Sequence, residues 1–296
     1  MLMKKKRKKI NKADLTMDIV IAGVLIALTL VCIYPVWYVI AASFTNTSEL
    51  MMNPGFLLWP KKTVIGAYKL VLENQRLLSG LKNSILILGI GLPINIFLTM
   101  LCGYFLACNG MLWKKPIATL IMITMFFNGG MIPAYLNIKE LGLYDSIWAL
   151  VLPTALSVYN AIICKTAIEG IPDSLRESAY LDGANDFQVI FKIILPLIKP
   201  TLAVLLLYYG IGHWNAWFEA SIYMKSPEKL PVQNIIRSIL LSNASLSGAA
   251  AGDDYNTYAE TIQYAAIVIT MFPVMCIYPF LQKYFAKGVM IGAVKG

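Results

Sequence analysis

Residues 19–42 read IVIAGVLIALTLVCIYPVWYVIAA, an apolar run without a charged side chain. A helix needs about 20 mostly apolar residues to cross a bilayer, because each residue advances 1.5 Å and the hydrocarbon core is about 30 Å thick. The apolar core of a cleaved signal peptide is shorter, at about 7–15 residues. We therefore expect this run to be retained as a membrane span.

The composition of the whole chain is that of a polytopic membrane protein. Hydrophobic residues make up 58% of the 296 residues, charged residues make up only 14%, and the mean hydropathy is +0.66. Soluble domains carry about 25% charged residues, and disordered chains have few large apolar residues. The five cysteines are too few for a small disulfide-stabilised scaffold. These values argue against all three of those classes and predict an all-α bundle in a membrane.

Six segments are long and apolar enough to span the bilayer. They cover residues 18–43, 81–108, 116–137, 146–168, 197–223 and 261–284. We expect them to form one transmembrane domain over 18–296, preceded by a basic cytoplasmic arm over 1–17.

The positive charges predict the orientation of these spans. If the N-terminus is cytoplasmic, most of the 25 lysine and arginine residues fall in inner segments, beginning with the cluster between Lys4 and Lys12. This distribution places both termini in the cytoplasm. A basic cluster directly before a membrane helix is attracted to anionic lipid headgroups, so we expect lipid and not nucleic acid as its partner.

No constellation for catalysis is present in the sequence. His213 is the only histidine, and the chain has no C-x-x-C pair and no Gly-Lys dipeptide, which a Walker A loop requires. We expect no catalytic, metal-ligating or cofactor-binding residue, so any ATP must be hydrolysed by another polypeptide. Glu219 and His213 are the only charged or histidine side chains well inside a predicted span. The scarcity of such groups disfavours an ion-coupled secondary carrier, which uses ionisable side chains inside the membrane. That carrier stays the alternative function from another class.

The segment 171–196, between the fourth and fifth predicted spans, reads as two short helices joined by a glycine. Pro172 suits the first turn of a helix, while Ser174 with Glu177 matches a capping box and implies a slightly different start. Gly183 supplies the positive φ, or the close backbone approach, that ends a short helix. We call residues 171–196 the insert.

The second helix of the insert is expected to begin with Asn185 and Gln188 as a cap and to run until Pro196. The two helices share a small apolar face with an acidic rim: Leu175, Ala179, Ala184 and Phe187, flanked by Glu177, Asp182 and Asp186. Such a surface suits docking of a soluble partner. The alternative is a helix lying on the bilayer surface, but those helices usually carry Lys and Arg on their polar face.

The residues Glu177-Ser178-Ala179, Asp182-Gly183-Ala184 and Leu195-Pro196 resemble the EAA loop of ABC-importer permeases, written E-A-A-x-x-D-G-A with a following I-x-L-P. Ser178 replaces one Ala, and both residues are small. The tail 292–296 is similar to the end of the second membrane subunit of maltose-type importers. Residues 128–133 and 212–218 look like the subgroup that imports lipo-oligosaccharides and polyuronides.

This resemblance implies the type I importer fold with six transmembrane helices, in a bacterial cytoplasmic membrane. The implied partners are a homologous permease subunit, two ATPase subunits that bind ATP and Mg²⁺, and an extracytoplasmic solute-binding protein that delivers a carbohydrate. Glu177 would make the polar contact to an ATPase, Gly183 the tight turn, and Ala179 with Leu175 the packing. The full set of implied coupling residues is Leu175, Glu177, Ser178, Ala179, Asp182, Gly183, Ala184 and Phe187. The alternative of a permease for a non-sugar solute is left open, because the insert indicates coupling to an ATPase and does not indicate which solute is transported.

The fifth predicted span is the candidate for the sugar path, since sugars bind to aromatic faces with a few polar groups. The candidate residues are Tyr209, His213, Trp214, Asn215, Trp217 and Glu219. Aromatic residues near the end of a span are also typical of an interfacial belt, and His213 also suits a hydrogen-bonded interior position. Glu219 would repel an acidic sugar unless it is protonated or paired.

Overall fold

The computed structural model describes residues 12–52, 55–108, 110, 112–241, 260–277 and 279, and these residues form helices and turns without a β-strand. The predicted all-α fold is therefore confirmed for the described part of the chain. Most of the basic arm, the end of the sixth predicted span and the tail 292–296 lie outside the described residues.

The helices are numbered in chain order. They are α1 (Lys12–Ser43), α2 (Thr47–Met52), α3 (Gly66–Glu73), α4 (Gln75–Ala107), α5 (Lys114–Phe126), α6 (Met131–Glu140), α7 (Trp148–Val151), α8 (Val158–Glu169), α9 (Asp173–Leu181), α10 (Asp186–Leu197), α11 (Lys199–Asn215), α12 (Phe218–Tyr223), α13 (Val232–Leu241) and α14 (Glu260–Ile277). A short 3₁₀ turn occupies Pro227–Lys229.

Three of the described helices, α1, α4 and α14, are long and apolar enough to cross a membrane without a break. The third predicted span, 116–137, is instead the pair α5 and α6, bent by 116°. Gly130 causes the break with φ +91°, and its N–H donates to the Asn128 side chain at 2.9 Å. A residue in that conformation cannot continue an α-helix.

The fourth and fifth predicted spans are also interrupted. Where the sequence predicts one helix over 146–168, α7 ends before Pro153, which lacks the N–H needed for continuation. The next helix, α8, begins at its cap Ser157. In the fifth, predicted over 197–223, α11 ends at Asn215, because Ala216 adopts an extended conformation before α12 begins.

The described residues up to Val71, with those from 260 to Val268, form one compact unit. Residues 16–33 of α1 are exposed, as expected of a helix that faces lipid or a partner subunit. Near its end, Ala41 and Ala42 are fully buried. The Thr261 hydroxyl donates to the Thr45 carbonyl at 2.8 Å, and this bond holds α14 to the segment that follows α1.

The second unit, residues 72–245 with those from 269 onward, is built around α4. This helix packs against α8, α11 and α13. A Cβ atom on Gly103 would lie 2.8 Å from the Cys164 sulfur, so the absence of a side chain lets α4 and α8 approach closely. The core formed there includes Met100, Ile168 and Leu205.

A charge clamp joins the loop before α7 to the loop after α12. The Asp145 carboxylate accepts hydrogen bonds from the Ser226 hydroxyl at 2.7 Å, from the Lys229 Nζ at 2.9 Å, and from the N–H groups of Lys225 and Ser226 at 3.0 Å. The hydrogen bond from Ser226, followed by that from Lys229, holds the pKa of Asp145 well below its ordinary value. The clamp is therefore ionised at any physiological pH.

We expect Asp145→Asn to lower the thermal unfolding temperature by the same amount from pH 5 to pH 8. A carboxyl group with a lowered pKa stabilises the fold above its unfolded pKa, about 4, and loses that contribution only as pH falls toward its folded pKa. Asparagine tolerates the positive φ of 57° at this position, so the variant tests the charge. Unfolding followed in detergent across this pH range checks the result, and a difference that changes between pH 5 and pH 8 would contradict it.

Candidate coupling insert and transport cavity

The first helix of the insert, α9, begins at Asp173 with Pro172 as its N-cap. No side chain caps this end, so the capping box predicted from Ser174 and Glu177 does not form. Instead, the Asp173 carboxylate in the first turn pairs with Arg176 one turn later. The proline decides the start because it cannot donate a hydrogen bond, a loss that is least costly at a helix N-terminus.

Gly183 ends α9 as the sequence predicts, with φ +81°. Its N–H donates to the Tyr180 carbonyl at 3.0 Å, and the Ala184 N–H donates to the Ala179 carbonyl at 2.9 Å. This pair of bonds is the Schellman arrangement, which satisfies carbonyls at a helix end. A Cβ atom on Gly183 would meet nothing within 4 Å. Glycine is therefore required by the backbone conformation and not by crowding.

The second helix, α10, begins with the predicted cap. The Gln188 N–H donates to the Asn185 side chain at 2.9 Å, and the Asn185 N–H donates to the Gln188 side chain at 3.1 Å. The helix passes Pro196 and ends at Leu197, one residue later than predicted. A π-helical segment, Val189–Ile194, precedes this proline. The wider turn makes room for a ring that would clash with the carbonyl four residues earlier.

The apolar face predicted for the insert is divided between two sides. Ala179 is only 7% exposed and packs with the chain's own core, and Ala184 packs against the same core. Ala179 therefore packs inside this chain and does not face outward as the sequence analysis expected. Leu175 and Phe187 are exposed, as predicted.

The outward surface of the insert also contains a residue that the sequence analysis did not select. Leu181 is 89% exposed at the last position of α9. Glu177, Ser178 and Asp182 are exposed beside it. Exposing a large apolar side chain to water is unfavourable. An apolar surface with a polar rim is therefore typical of a site that a partner covers.

A cavity of about 490 Å³ lies among α4, α7, α8, α11 and α12. Its lining residues are Ile87, Leu150, Thr154, Leu156, Ser157, Asn160, Tyr208, Tyr209, Gly212, His213, Asn215, Ala216 and Glu219. This lining is mostly apolar or neutral and polar, and the one carboxylate in it belongs to Glu219.

Four of the six residues predicted for the sugar path line this cavity: Tyr209, His213, Asn215 and Glu219. Trp214 is buried but is not in the cavity wall. Trp217 is also outside the wall, and the Arg237 guanidinium lies 3.7 Å from the centre of its ring. The backbone break after Asn215 turns the second tryptophan away from the residues that precede it.

An amide that the sequence analysis missed organises the wall of the cavity. Asn95 is fully buried, and its Nδ2 donates to the carbonyls of Thr154 at 2.8 Å and Ala155 at 3.0 Å. Its Oδ1 lies 2.8 Å from His213 Nε2. Because Nδ2 is committed to two carbonyls, Oδ1 must be the acceptor, so His213 carries its proton on Nε2. A signal for Asn95 was available in the sequence: an amide in the middle of an apolar span needs hydrogen-bond partners.

Three further neighbours position the histidine and a nearby tyrosine. A Cβ atom on Gly91 would lie 2.9 Å from His213 Nε2, so the glycine leaves space for the ring. The Tyr209 hydroxyl lies 2.7 Å from Thr99 Oγ1 and accepts the Ser157 N–H at 3.0 Å. Ser157 in turn caps α8. The interior position considered for His213 is thus correct, and the ring also contributes to the cavity wall.

Comparison with known proteins decides which kind of protein carries this insert and cavity. Residues 18–291 match the family described as binding-protein-dependent transport system inner membrane component. The chain belongs to this family. It is a membrane permease subunit and not an enzyme, and in importers of this kind the ATPase is a separate subunit. The family predicted from the insert is confirmed, which decides against the ion-coupled secondary carrier.

Relatives cover nearly the whole permease. It is 38% identical over 281 residues to the polygalacturonan/rhamnogalacturonan transport system permease protein YtcP of Bacillus subtilis, covering 94% of this chain and 98% of the relative. It is also 38% identical over 267 residues to protein LplC of the same organism, covering 90% of each chain.

A solved structure shares the fold. A chain in the crystal structure of a bacterial ABC transporter involved in the import of the acidic polysaccharide alginate superposes with a TM-score of 0.85. The two chains are 28% identical, and the match covers 94% of this permease and 100% of that chain. The type I importer permease fold is therefore confirmed.

Proposed function

We propose that this permease is one of two membrane subunits of an ATP-driven importer for acidic oligosaccharides. The observation that carries the proposal is that relatives matching over nearly their full lengths include a polygalacturonan permease and a chain of an alginate importer. Both of those polysaccharides are chains of sugar acids, with a carboxylate on each ring. The cavity of about 490 Å³ falls within the range of roughly 300–1,000 Å³ typical of ligand sites.

The cavity wall supports a role in holding sugar hydroxyl groups. Asn160, Tyr208 and Asn215 offer neutral donors and acceptors, which suit hydroxyl groups without binding them tightly. No lysine or arginine is among the residues that line the cavity in the described part of the chain. Any positive charge that pairs with a sugar carboxylate would therefore come from another subunit. Glu219 would repel that carboxylate from the cavity wall that this permease forms.

The proposal includes the partners that the insert implies. Two ATPase subunits, which bind the ATP and Mg²⁺, would dock on this permease and on a homologous membrane subunit. An extracytoplasmic binding protein would deliver the solute. The exposed surface formed by Leu175, Glu177, Leu181 and Phe187 would contact the ATPase. In this arrangement the insert and both termini would lie in the cytoplasm.

Uptake into proteoliposomes tests the proposal. The complete complex is supplied with its binding protein, ATP and a labelled galacturonide oligomer, and the methyl ester of the same oligomer serves as the neutral control. We expect ATP-dependent accumulation of the acid and much weaker accumulation of the ester. Equal uptake of the two, or uptake only of a neutral sugar or a non-sugar solute, would refute the acidic-sugar assignment.

Within that assay, we expect Asn215→Leu to lower the maximal uptake rate several-fold. The substitution removes an amide from the cavity wall and leaves a sugar hydroxyl without a partner. The matched control is Trp217→Phe, because Trp217 lies outside the wall and against Arg237. Similar losses of uptake rate in the two variants would show that the cavity is not part of the transport path.

A further inference from the structure

Three side chains from three helices meet where α4 approaches the insert. The Tyr104 hydroxyl of α4 lies 2.6 Å from the Tyr180 hydroxyl of α9 and 3.0 Å from Asp186 Oδ1 of α10. The Tyr180 hydroxyl lies 2.7 Å from the same carboxylate oxygen. We call Tyr104, Tyr180 and Asp186 the latch.

The number of protons gives the latch a direction. Two phenols supply two protons for three short contacts, so one contact must be made without a proton. The two shortest distances favour a chain in which Tyr104 donates to Tyr180 and Tyr180 donates to Asp186. Partial burial raises the pKa of Tyr180, so this phenol stays protonated at neutral pH. Removing Tyr180 therefore breaks both of the stronger bonds.

Contacts around the latch hold the insert to the same end of α4. The Arg176 guanidinium of α9 donates to the Cys108 sulfur at 3.3 Å. Ala179 of α9 and Ile190 of α10 are buried in one core with Tyr104. Both helices of the insert thus also contact this end of α4 outside the latch.

The other part of α4 reaches the cavity. Ile87 lines it, Gly91 makes room for His213, Asn95 bonds His213, and Thr99 lies at hydrogen-bond distance from Tyr209. These four residues of α4 are spaced by four, so they share one face of the helix. From Ile87 to Tyr104 is about 25 Å along the axis, at 1.5 Å per residue. One continuous helix therefore joins the insert to the cavity wall.

We propose that the latch makes α4 the lever that carries displacement of the insert to the cavity wall. The inference rests on the proposed function, since it says which helix transmits the movement that the ATPase subunits would cause in the insert. Tyr180 and Asp186 act as positioning residues: they keep α9, α10 and α4 moving together. Without them, the insert is joined to α4 only through the apolar core and the contact between Arg176 and Cys108, so less of its displacement reaches α4.

The test compares uptake per ATP hydrolysed in the complete complex. We expect Tyr180→Phe and Asp186→Leu each to lower this ratio at least five-fold while the ATPases stay bound. Asp186→Asn, which keeps an acceptor oxygen, is expected to retain most of it. The matched control is Tyr159→Phe, because Tyr159 is exposed and makes no hydrogen bond within the described residues. A normal ratio in Tyr180→Phe and Asp186→Leu would overturn the proposal.

A second measurement does not depend on transport. Amide hydrogen exchange in the purified complex is expected to rise in Tyr180→Phe both in the insert and in the last two turns of α4, because the latch orders both. An unchanged exchange rate in α4 would overturn the inference. If the wild-type complex instead lacks ATP-driven uptake while exchange responds as expected, the proposed function fails and the mechanical link stands.

Discussion

Gly183→Val is expected to lower ATP-driven uptake at least ten-fold. The backbone at Gly183 has φ +81°, a conformation that costs a β-branched residue about 1–3 kcal/mol. Relief of that strain would break the two hydrogen bonds that end α9 and would turn its exposed surface away from the ATPase. Uptake and ATPase association, measured on the same preparation, are both expected to fall.

The control for this variant is another glycine with the same backbone requirement. Gly142 has φ +69° and lies between α6 and α7, away from the insert, and a Cβ atom there would also meet nothing within 4 Å. Gly142→Val should cost similar strain but leave ATPase association intact. If both variants lose association equally, the loss reflects general misfolding and the coupling role of Gly183 is contradicted.

Among the substitutions considered, Asn95→Leu is expected to lower the free energy of unfolding most. The leucine removes three hydrogen bonds and leaves His213 and two backbone carbonyls without these partners inside the protein. Hydrogen bonds between membrane helices contribute about 0.6 kcal/mol on average and at most about 1.7 kcal/mol. For three lost bonds we expect a total of about 2–5 kcal/mol, seen as a drop of several degrees in the unfolding temperature.

Thr29→Val is the matched control for that measurement. The Thr29 hydroxyl donates to the Leu25 carbonyl at 2.7 Å on an exposed face of α1, so its loss leaves no group buried without a partner. Thermal unfolding of both variants in detergent should separate them clearly. Equal unfolding temperatures for Asn95→Leu and the wild type would show that this amide does not hold the cavity wall.

Local features of the insert could be predicted from the sequence. The glycine end of α9 and the Asn185–Gln188 cap each depend on residues within one turn of each other, and both formed as expected. The capping box at Ser174 failed because Pro172, two residues earlier, competed for the helix start. Local rules thus predict helix ends well where one signal is present, and less well where two compete.

Contacts between distant segments could not be predicted in this way. Asn95 meets His213 118 residues later, and Tyr104 meets Tyr180 76 residues later. The inward direction of Ala179 also depends on a core formed by α4 and α8. In the fifth span, helical spacing does carry the information, because Tyr209, Gly212 and His213 share a face of α11 that excludes Trp214.

Docking of the insert on an ATPase underlies the proposed function and the lever alike, and photo-crosslinking detects such docking without relying on transport. Benzoylphenylalanine replaces Leu181, the most exposed apolar residue of α9, and the complete complex is irradiated. A parallel sample carries the probe at Leu141, which is 62% exposed before α7. We predict a covalent adduct with the ATPase from position 181 and none from position 141. Adducts from position 181 with lipid alone, in a complex that retains its ATPases, would contradict the docking of the insert.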